Sequence, residues 1–198
     1  MRLLLVRHGV TAETGRILTG RLPGVSLSDE GIAQADSVAQ RLASTKLAGV
    51  YTSPLERCRE TAAAIARTRG LRPRIDRRFI EVDYGRWSGR RLNDLRQLRA
   101  WSRLLETPSR FRFPGGSESL GGAQQRAVAG VEVLALRYPE KTIALVSHND
   151  IIRLVLAYYL GMPTDLIQRL HVGPTSVSVV ELGPTRPPLV PLVNQTGP

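Results

Sequence analysis

The sequence predicts an α/β fold built around a mostly parallel sheet. Short apolar runs, clearest at residues 3–6 and 142–146, have the length and composition of buried strands. Other segments carry apolar side chains at helical spacing, as at Ile32, Ala35 and Val38. Because strands and helices alternate along the chain, parallel pairing of the strands is expected.

The first part of the chain contains two further predicted strands and two predicted helices. A loop rich in Gly, Thr and Arg covers residues 10–27, and its length favours a functional role. Ser28 is predicted to cap the first helix. A short strand at 47–51 leads to Ser53, which is predicted to cap the second helix. A third strand is predicted at 72–75.

The second part of the chain continues the alternation. A helix is predicted at 91–105, and Ser117 is predicted to cap the helix that follows. The strand at 142–146 runs into a helix at 151–160 that is apolar almost all round, which indicates burial. A further strand is predicted at 175–181.

We predict a single domain over residues 1–198, ending in a Pro-rich tail over 183–198. The tail contains five prolines, so residues 189–193 can form only an edge strand or an extended wrap. No apolar run reaches the ~18–20 residues that span a bilayer, and the N-terminus has no export signal. These features predict a cytoplasmic protein without a membrane partner. The lone Cys58 excludes an intrachain disulfide and a cysteine metal cluster.

The net charge of +11 comes almost entirely from arginine, since Lys46 and Lys141 are the only lysines. A basic excess attracts nucleic acid. However, the arginines are scattered and aromatic residues make up only 5% of the chain, which disfavours a specific nucleic-acid surface. Arginine also suits bidentate capture of phosphate and carboxylate groups.

Two histidines each follow a predicted buried strand, His8 near the N-terminus and His148 late in the chain. Ligands bind beyond the carboxyl ends of parallel strands, so both side chains are expected at one site. Arg7 adjoins His8, and Arg57 lies in the first turn of a helix, where a cation is unfavourable unless an anion is bound. The alternative is that Arg57 pairs with Glu56 or Glu60.

This set of residue types suits phosphoryl transfer. A neutral histidine can attack phosphorus, and arginines can stabilise the charge on the phosphoryl oxygens. A carboxylic acid, Glu81 or Asp83, can protonate the leaving oxygen. Zinc binding by the two histidines with Glu81 or Asp150 is the rival interpretation, but neighbouring arginines would repel a dication. We therefore predict neither a metal nor a cofactor, and His171 is predicted to be structural.

Four motifs in this order resemble the phosphoglycerate-mutase-like branch of the histidine phosphatase superfamily. The resemblance covers about residues 2–182 and rests on Arg7-His8-Gly9, on Ser53-Pro54-Leu55-Glu56-Arg57 with Glu60-Thr61-Ala62, on Glu81 followed by Tyr84-Gly85-Arg86-Trp87-Ser88-Gly89, and on Val146-Ser147-His148.

The resemblance implies a three-layer α/β/α sandwich and a site with defined roles. His8 is implied to be the phosphorylated nucleophile, with Arg7, Arg57 and His148 around the phosphate and Glu81 as general acid and base. Residues expected to contact phosphate or substrate beyond these are Thr14, Gly20 and Arg21 in the first loop, Arg90, and Asn149, which with Asp150 stands where the family usually has two glycines.

The predicted activity is hydrolysis of a small anionic phosphomonoester. Mutase-type phosphoryl transfer is the alternative, but family mutases typically carry a longer insertion between the acid and the second histidine than this chain has. A non-catalytic protein that binds a phosphorylated ligand is the other alternative. The expected partner is a small molecule, bound by a monomer or homodimer. Arginines expected to select the substrate are Arg16, Arg21, Arg86, Arg90, Arg110 and Arg112.

Overall fold

The computed structural model describes residues 1–184 and 186–197; Thr185 and Pro198, both in the predicted tail, lie outside the described residues. The described chain forms a six-stranded sheet in the order β3-β2-β4-β1-β5-β6. Its strands are β1 (Arg2–Arg7), β2 (Val50–Thr52), β3 (Arg74–Ile75), β4 (Thr142–Ser147), β5 (Val177–Glu181) and β6 (Leu189–Gln195). The first four strands pair in parallel, while β5 is antiparallel to β1 and β6 to β5.

The register of the two central strands places the histidines together. Arg7, the last residue of β1, pairs with Ser147, the last residue of β4. His8 and His148 therefore leave the sheet side by side at its carboxyl edge. This is the position at which open α/β sheets bind ligands.

Helices cover both faces of the sheet, as the predicted three-layer sandwich requires. They are α1 (Asp29–Arg41), α2 (Glu56–Arg67), α3 (Leu92–Arg96), α4 (Arg99–Glu106), α5 (Leu120–Arg137) and α6 (Asn149–Tyr159). Alternate residues of β1 point to opposite faces. Leu4 and Val6 pack with α1 and α2, whereas Leu3 and Leu5 pack with α5 and α6.

Two of the three predicted helix caps are wrong, and one of them, Ser53, contacts a site residue instead. Ser28 does cap α1, because its Oγ accepts the Gly31 N–H at 3.1 Å. The N-cap of α2 is Leu55, since the Ser53 hydroxyl instead contacts a histidine. The cap of α5 is Ser119, two residues after the predicted Ser117.

The helix predicted at 91–105 is two short helices, because Leu98 adopts an extended conformation between α3 and α4. The edge-strand prediction for the tail is confirmed by β6, which carries Pro191 at the outer edge of the sheet. Every helix in the described part of the chain is too short or too polar to cross a membrane.

Candidate active site

His8 follows the last residue of β1, and a hydrogen bond fixes the orientation of its ring. Its Nδ1 lies 2.7 Å from the Gly9 carbonyl oxygen, which assigns the proton to Nδ1. The Nε2 atom then carries a lone pair and accepts the Nε–H of Arg57 at 3.3 Å. Burial, and secondarily the Arg57 charge, lowers the pKa of His8 to about 3. His8 is therefore a neutral imidazole whose Nε2 is unprotonated, as a nucleophile requires.

Gly9 is required by packing rather than by backbone conformation. A Cβ atom at this position would lie 2.6 Å from the carbonyl oxygen of Gly31, in the first turn of α1. The Gly9 N–H donates to the Thr61 hydroxyl of α2 at 3.2 Å. Two helices are thus held close behind His8, which limits the movement of its backbone.

Arg57 is the buried cation of the site, with a relative exposure of 1%. Its Nη2 donates to the Gly20 carbonyl oxygen at 2.7 Å and lies 3.4 Å from Nδ1 of His148. The alternative pairing with Glu56 or Glu60 is not what the structure shows; Glu60 instead accepts the Leu27 N–H.

Both arginines of the site keep buried N–H groups without a partner. Nη1 of Arg57 and Nε of Arg7 have no hydrogen-bond partner among the described residues. Nη1 of Arg7 donates to the Val172 carbonyl oxygen at 2.7 Å, and burial lowers the pKa of Arg7. Leaving a buried charged donor unpaired is costly, so two such donors beside His8 indicate a site for an anion.

His148 is fully buried, and its ring centroid lies 5.3 Å from that of His8. Its Nε2 is 2.7 Å from the Ser53 hydroxyl, a contact that sequence reasoning missed because Ser53 suited a helix cap. Burial, followed by the charge of Arg57, lowers the pKa of His148 well below its ordinary value. Both histidines are therefore neutral in the free protein.

Glu81 is the carboxyl group of the site. Its Oε2 lies 3.9 Å from Nδ1 of His148, and its Oε1 accepts the Val82 N–H at 2.9 Å. Burial, and then the nearby Asp150 carboxylate, raises its pKa to about 8. Glu81 can therefore carry a proton at neutral pH. Asp83, the other candidate, instead accepts hydrogen bonds from Ser117, which lowers its pKa.

A cleft of about 370 Å³ opens over these groups. It is lined by Arg7, His8, Arg57 and Glu81, and also by Thr14, Gly20 and Asn149, as the sequence predicted. His148 lies beneath this lining. The helix α6 begins at Asn149, so the positive end of its dipole lies at the cleft.

Two predicted contact residues are placed elsewhere. Arg21 lies behind the site, where its Nε donates to the Glu81 carbonyl oxygen at 2.7 Å and its guanidinium pairs with Glu118. Arg90 is exposed and is not among the described residues that line the cleft. Four further arginines that were expected to select the substrate are also exposed and are not among the described lining residues: Arg16, Arg86, Arg110 and Arg112. Because the arginines are scattered along the sequence, the sequence did not indicate which of them face the cleft.

The cleft contains residues that the sequence did not single out. Tyr84 donates its hydroxyl proton to Asp150 at 2.7 Å, and Arg153 lies 3.5 Å from the same carboxylate. Arg96 and several apolar side chains also line the cleft. Among the described residues, no group of three or more His, Cys, Asp or Glu side chains could hold a metal ion.

The chain is similar in sequence and in structure to several known proteins. The chain is 32% identical over 187 residues to phosphoserine phosphatase 1 of Hydrogenobacter thermophilus, covering 92% of this chain and 87% of that protein. It is 33% identical over 201 residues to the bifunctional protein Rv2228c of Mycobacterium tuberculosis, covering 99% of this chain but only 54% of that protein. A putative α-ribazole-5′-phosphate phosphatase of Escherichia coli superposes with a TM-score of 0.87 at 26% identity, over 99% of this chain and 97% of that one.

These relatives confirm the predicted fold class and the predicted enzyme class, a hydrolase of phosphate monoesters. The model of the histidine phosphatase superfamily, branch 1, matches residues 3–195. The chain therefore belongs to the histidine phosphatase superfamily.

Proposed function

We propose that this protein hydrolyses a small phosphomonoester in two steps, through a phosphohistidine formed on Nε2 of His8. The observation that carries the proposal is the pair of unpartnered, buried N–H groups on Arg7 and Arg57, two side chains that line the same cleft as His8. A phosphoryl group beside Nε2 would accept hydrogen bonds from both arginines. The neutral state of the two histidines allows His8 to act without first losing a proton.

In the first step, Nε2 of His8 attacks phosphorus and the bond from phosphorus to the leaving oxygen breaks. The protonated Glu81 gives its proton to that oxygen, so the product leaves as an alcohol. The phosphorylated ring is positively charged, and its Nδ1–H stays hydrogen bonded to the Gly9 carbonyl. Arg7 and Arg57 stabilise the charge that spreads over the phosphoryl oxygens in the transition state.

In the second step, water attacks phosphorus from the side that the alcohol has left. The ionised Glu81 takes a proton from this water, and the phosphorus–nitrogen bond breaks to release inorganic phosphate. His8 returns to its neutral form and Glu81 to its protonated form, so the cycle is closed.

Neighbouring groups complete the proposed phosphate site. The first turn of α6, beginning at Asn149, offers backbone N–H groups and the positive end of a helix dipole, and the buried His148 contacts the Arg57 guanidinium. Thr14 offers a hydroxyl from the first loop, and the Gly20 carbonyl holds the Arg57 side chain in place. Arg21 acts on the site indirectly, by holding the backbone of Glu81.

The test is turnover of 4-nitrophenyl phosphate in the presence of a chelator, with release of inorganic phosphate as the readout. The variant His8→Ala is expected to lose at least about a thousandfold in kcat, as is usual for a missing nucleophile. The control is His171→Ala, because His171 is exposed and is not among the described residues that line the cleft. Equal activity of His8→Ala and the wild type would reject the proposal.

The same assay separates the two alternatives. With 3-phosphoglycerate as substrate, a mutase moves the phosphoryl group between hydroxyls, whereas a phosphatase releases inorganic phosphate. A protein that only binds phosphorylated ligands shows saturable binding of phosphate esters and no release of phosphate from any of them.

A further inference from the structure

Part of the cleft is lined by apolar side chains that the chemistry at His8 does not use. Three of them, Trp101, Leu104 and Leu105, come from α4. Leu92 from the start of α3 and Ile17 from the first loop lie in the same lining. We refer to these five residues as the apolar wall.

The apolar wall is accessible. Leu105 is 43% exposed, and Trp101, Leu92 and Ile17 are only partly buried. Single apolar residues on a protein surface need no explanation, but several gathered in one concave cleft mark a ligand site. Because the same cleft contains Arg7, His8 and Arg57, a phosphate ester bound there would extend along this wall.

One residue of the wall, Trp101, packs on an aromatic cluster. The Trp101 ring stacks on Trp87, with centroids 5.9 Å apart and planes inclined by 20°. Trp87 in turn contacts Phe111 and Phe113 at 5.4 and 5.6 Å. Because this stacking restricts the Trp101 ring before a ligand binds, less conformational entropy is lost there on binding, which favours affinity.

Charge within the cleft does not favour a second anionic group. Beyond the residues proposed for the chemistry, the described charged groups of the lining are two cations and two anions, namely Arg96, Arg153, Glu13 and Asp150. Arg153 lies 3.5 Å from Asp150, so their charges largely offset each other. The six arginines predicted from the sequence to select an anionic substrate all lie outside the described lining.

We propose that the apolar wall binds the leaving group, so that the preferred substrates are phosphomonoesters of alkyl or aryl alcohols. This inference rests on the proposed function, because the wall acts on the ester that Arg7 and Arg57 hold. A volume of about 370 Å³ is near the lower end for small-molecule sites, which limits the leaving group to a small one.

The test is a series of n-alkyl phosphates from ethyl to hexyl. The acidity of the leaving alcohol is nearly constant along this series, so only the apolar area changes. Each added methylene group that is buried is expected to raise kcat/KM by about two- to fourfold. A flat or falling series, or faster turnover of 3-phosphoglycerate than of hexyl phosphate, would overturn the inference.

A substitution in the wall gives a second measurement. The variant Leu105→Asn is expected to lower kcat/KM for hexyl phosphate about tenfold, and to lower that for ethyl phosphate much less. The matched control is Leu160→Asn, since Leu160 is 45% exposed, ends α6 and is not among the described lining residues. Ile17→Asn, on the loop side of the wall, serves as a second variant with the same expectation. Equal effects of Leu105→Asn and Leu160→Asn on hexyl phosphate would contradict the role of the wall.

Binding of n-alkyl phosphonates, which cannot be hydrolysed, separates failure of this inference from failure of the proposed function. If their Kd falls with chain length while no ester is turned over, the wall is supported and the phosphatase mechanism is rejected. If all esters are turned over without any dependence on chain length, in turnover or in phosphonate binding, the mechanism is supported and the wall is rejected.

Discussion

The two ends of the cleft are built in different ways. At the phosphate end, His8 and His148 follow paired residues of neighbouring strands, and Arg57 is buried in the first turn of α2. At the other end, the apolar wall comes mainly from two short helices, α3 and α4, and all of its side chains except the buried Leu104 are at least partly exposed. The chemistry is thus tied to the sheet register, whereas the surface that selects the leaving group belongs to a separate segment.

This difference has a physical consequence. The segment between Glu81 and α5 supplies no strand to the described sheet, so it does not set the register that aligns the histidines. Substitutions at the phosphate end are expected to lower the rate for every ester, and substitutions in the wall to change the relative rates of different esters. The predictions below test that division.

Apart from loss of the nucleophile itself, the largest effect is expected at Arg57. Replacing Arg57 by Ala removes the donor to His8 and an unpartnered N–H that faces the anion site in our proposal. We expect kcat/KM to fall about a hundred- to a thousandfold for ethyl and hexyl phosphate alike. Arg59→Ala, an exposed position on the same helix, is the control. A loss confined to one of the two esters would contradict the proposed role of Arg57.

A smaller loss, dependent on the ester, is expected at Glu81. In Glu81→Gln the leaving oxygen receives no proton, so alkyl phosphates should lose about a hundredfold or more in kcat. In contrast, the leaving group of 4-nitrophenyl phosphate needs little protonation, so the first step with this ester should be much less affected. Pre-steady-state release of nitrophenol measures the rate of the first step. Equal losses of that first step for both kinds of ester would rule out Glu81 as the acid.

A moderate effect is expected at Ser53. Replacing it by Ala leaves Nε2 of the fully buried His148 with only the weaker contact to Cys58 Sγ at 3.5 Å. We expect unfolding to become easier by about 1–3 kcal/mol, and kcat to fall roughly tenfold as His148 loses its orientation. Ser147→Ala is matched for stability, because that buried hydroxyl also donates one hydrogen bond, to the Phe79 carbonyl. If both variants lose the same activity, the contact with His148 has no specific role.

The smallest effect is a shift of the pH profile in Asp150→Asn. The Asp150 charge raises the pKa of Glu81, acting together with burial, while Arg7 and Arg57 lower it. Without this charge Glu81 loses its proton at lower pH, so the alkaline limb of kcat/KM for ethyl phosphate should move to lower pH. Asp36→Asn, a partly exposed position that pairs with Arg67, should leave the limb in place. An unchanged or upward-shifted limb in Asp150→Asn would contradict this coupling.

The features best predicted from the sequence are those set by strand periodicity. The apolar runs before His8 and His148 defined β1 and β4, and parallel pairing then required the two side chains to meet. The unfavourable position of Arg57 near a helix start likewise indicated an anion site. Each of these predictions rests on a pattern within a short stretch of the sequence, and few alternative structures would explain that pattern.

Other features depend on tertiary contacts, which patterns within a short stretch of sequence do not reveal. Ser53 precedes a helix and suits a cap, so only the approach of His148 from a distant strand reveals its other use. Glu81 and Asp83 differ by two positions, and only the structure shows which one is buried beside His148. Leu105 has the spacing of a core residue, but α3 and α4 are separated at Leu98 and Leu105 lines the cleft instead.

The phosphohistidine can be sought directly by mixing the enzyme with excess phosphomonoester, quenching in alkali, where phosphohistidine survives, and mapping phosphorylated peptides by mass spectrometry. We expect one phosphoryl group per chain, attached to Nε2 of His8. With 4-nitrophenyl phosphate as substrate, Glu81→Gln should accumulate more phosphohistidine than the wild type. His8→Ala should form none. Rapid turnover without phosphate on His8, or phosphate on His148 instead, would contradict the proposed mechanism.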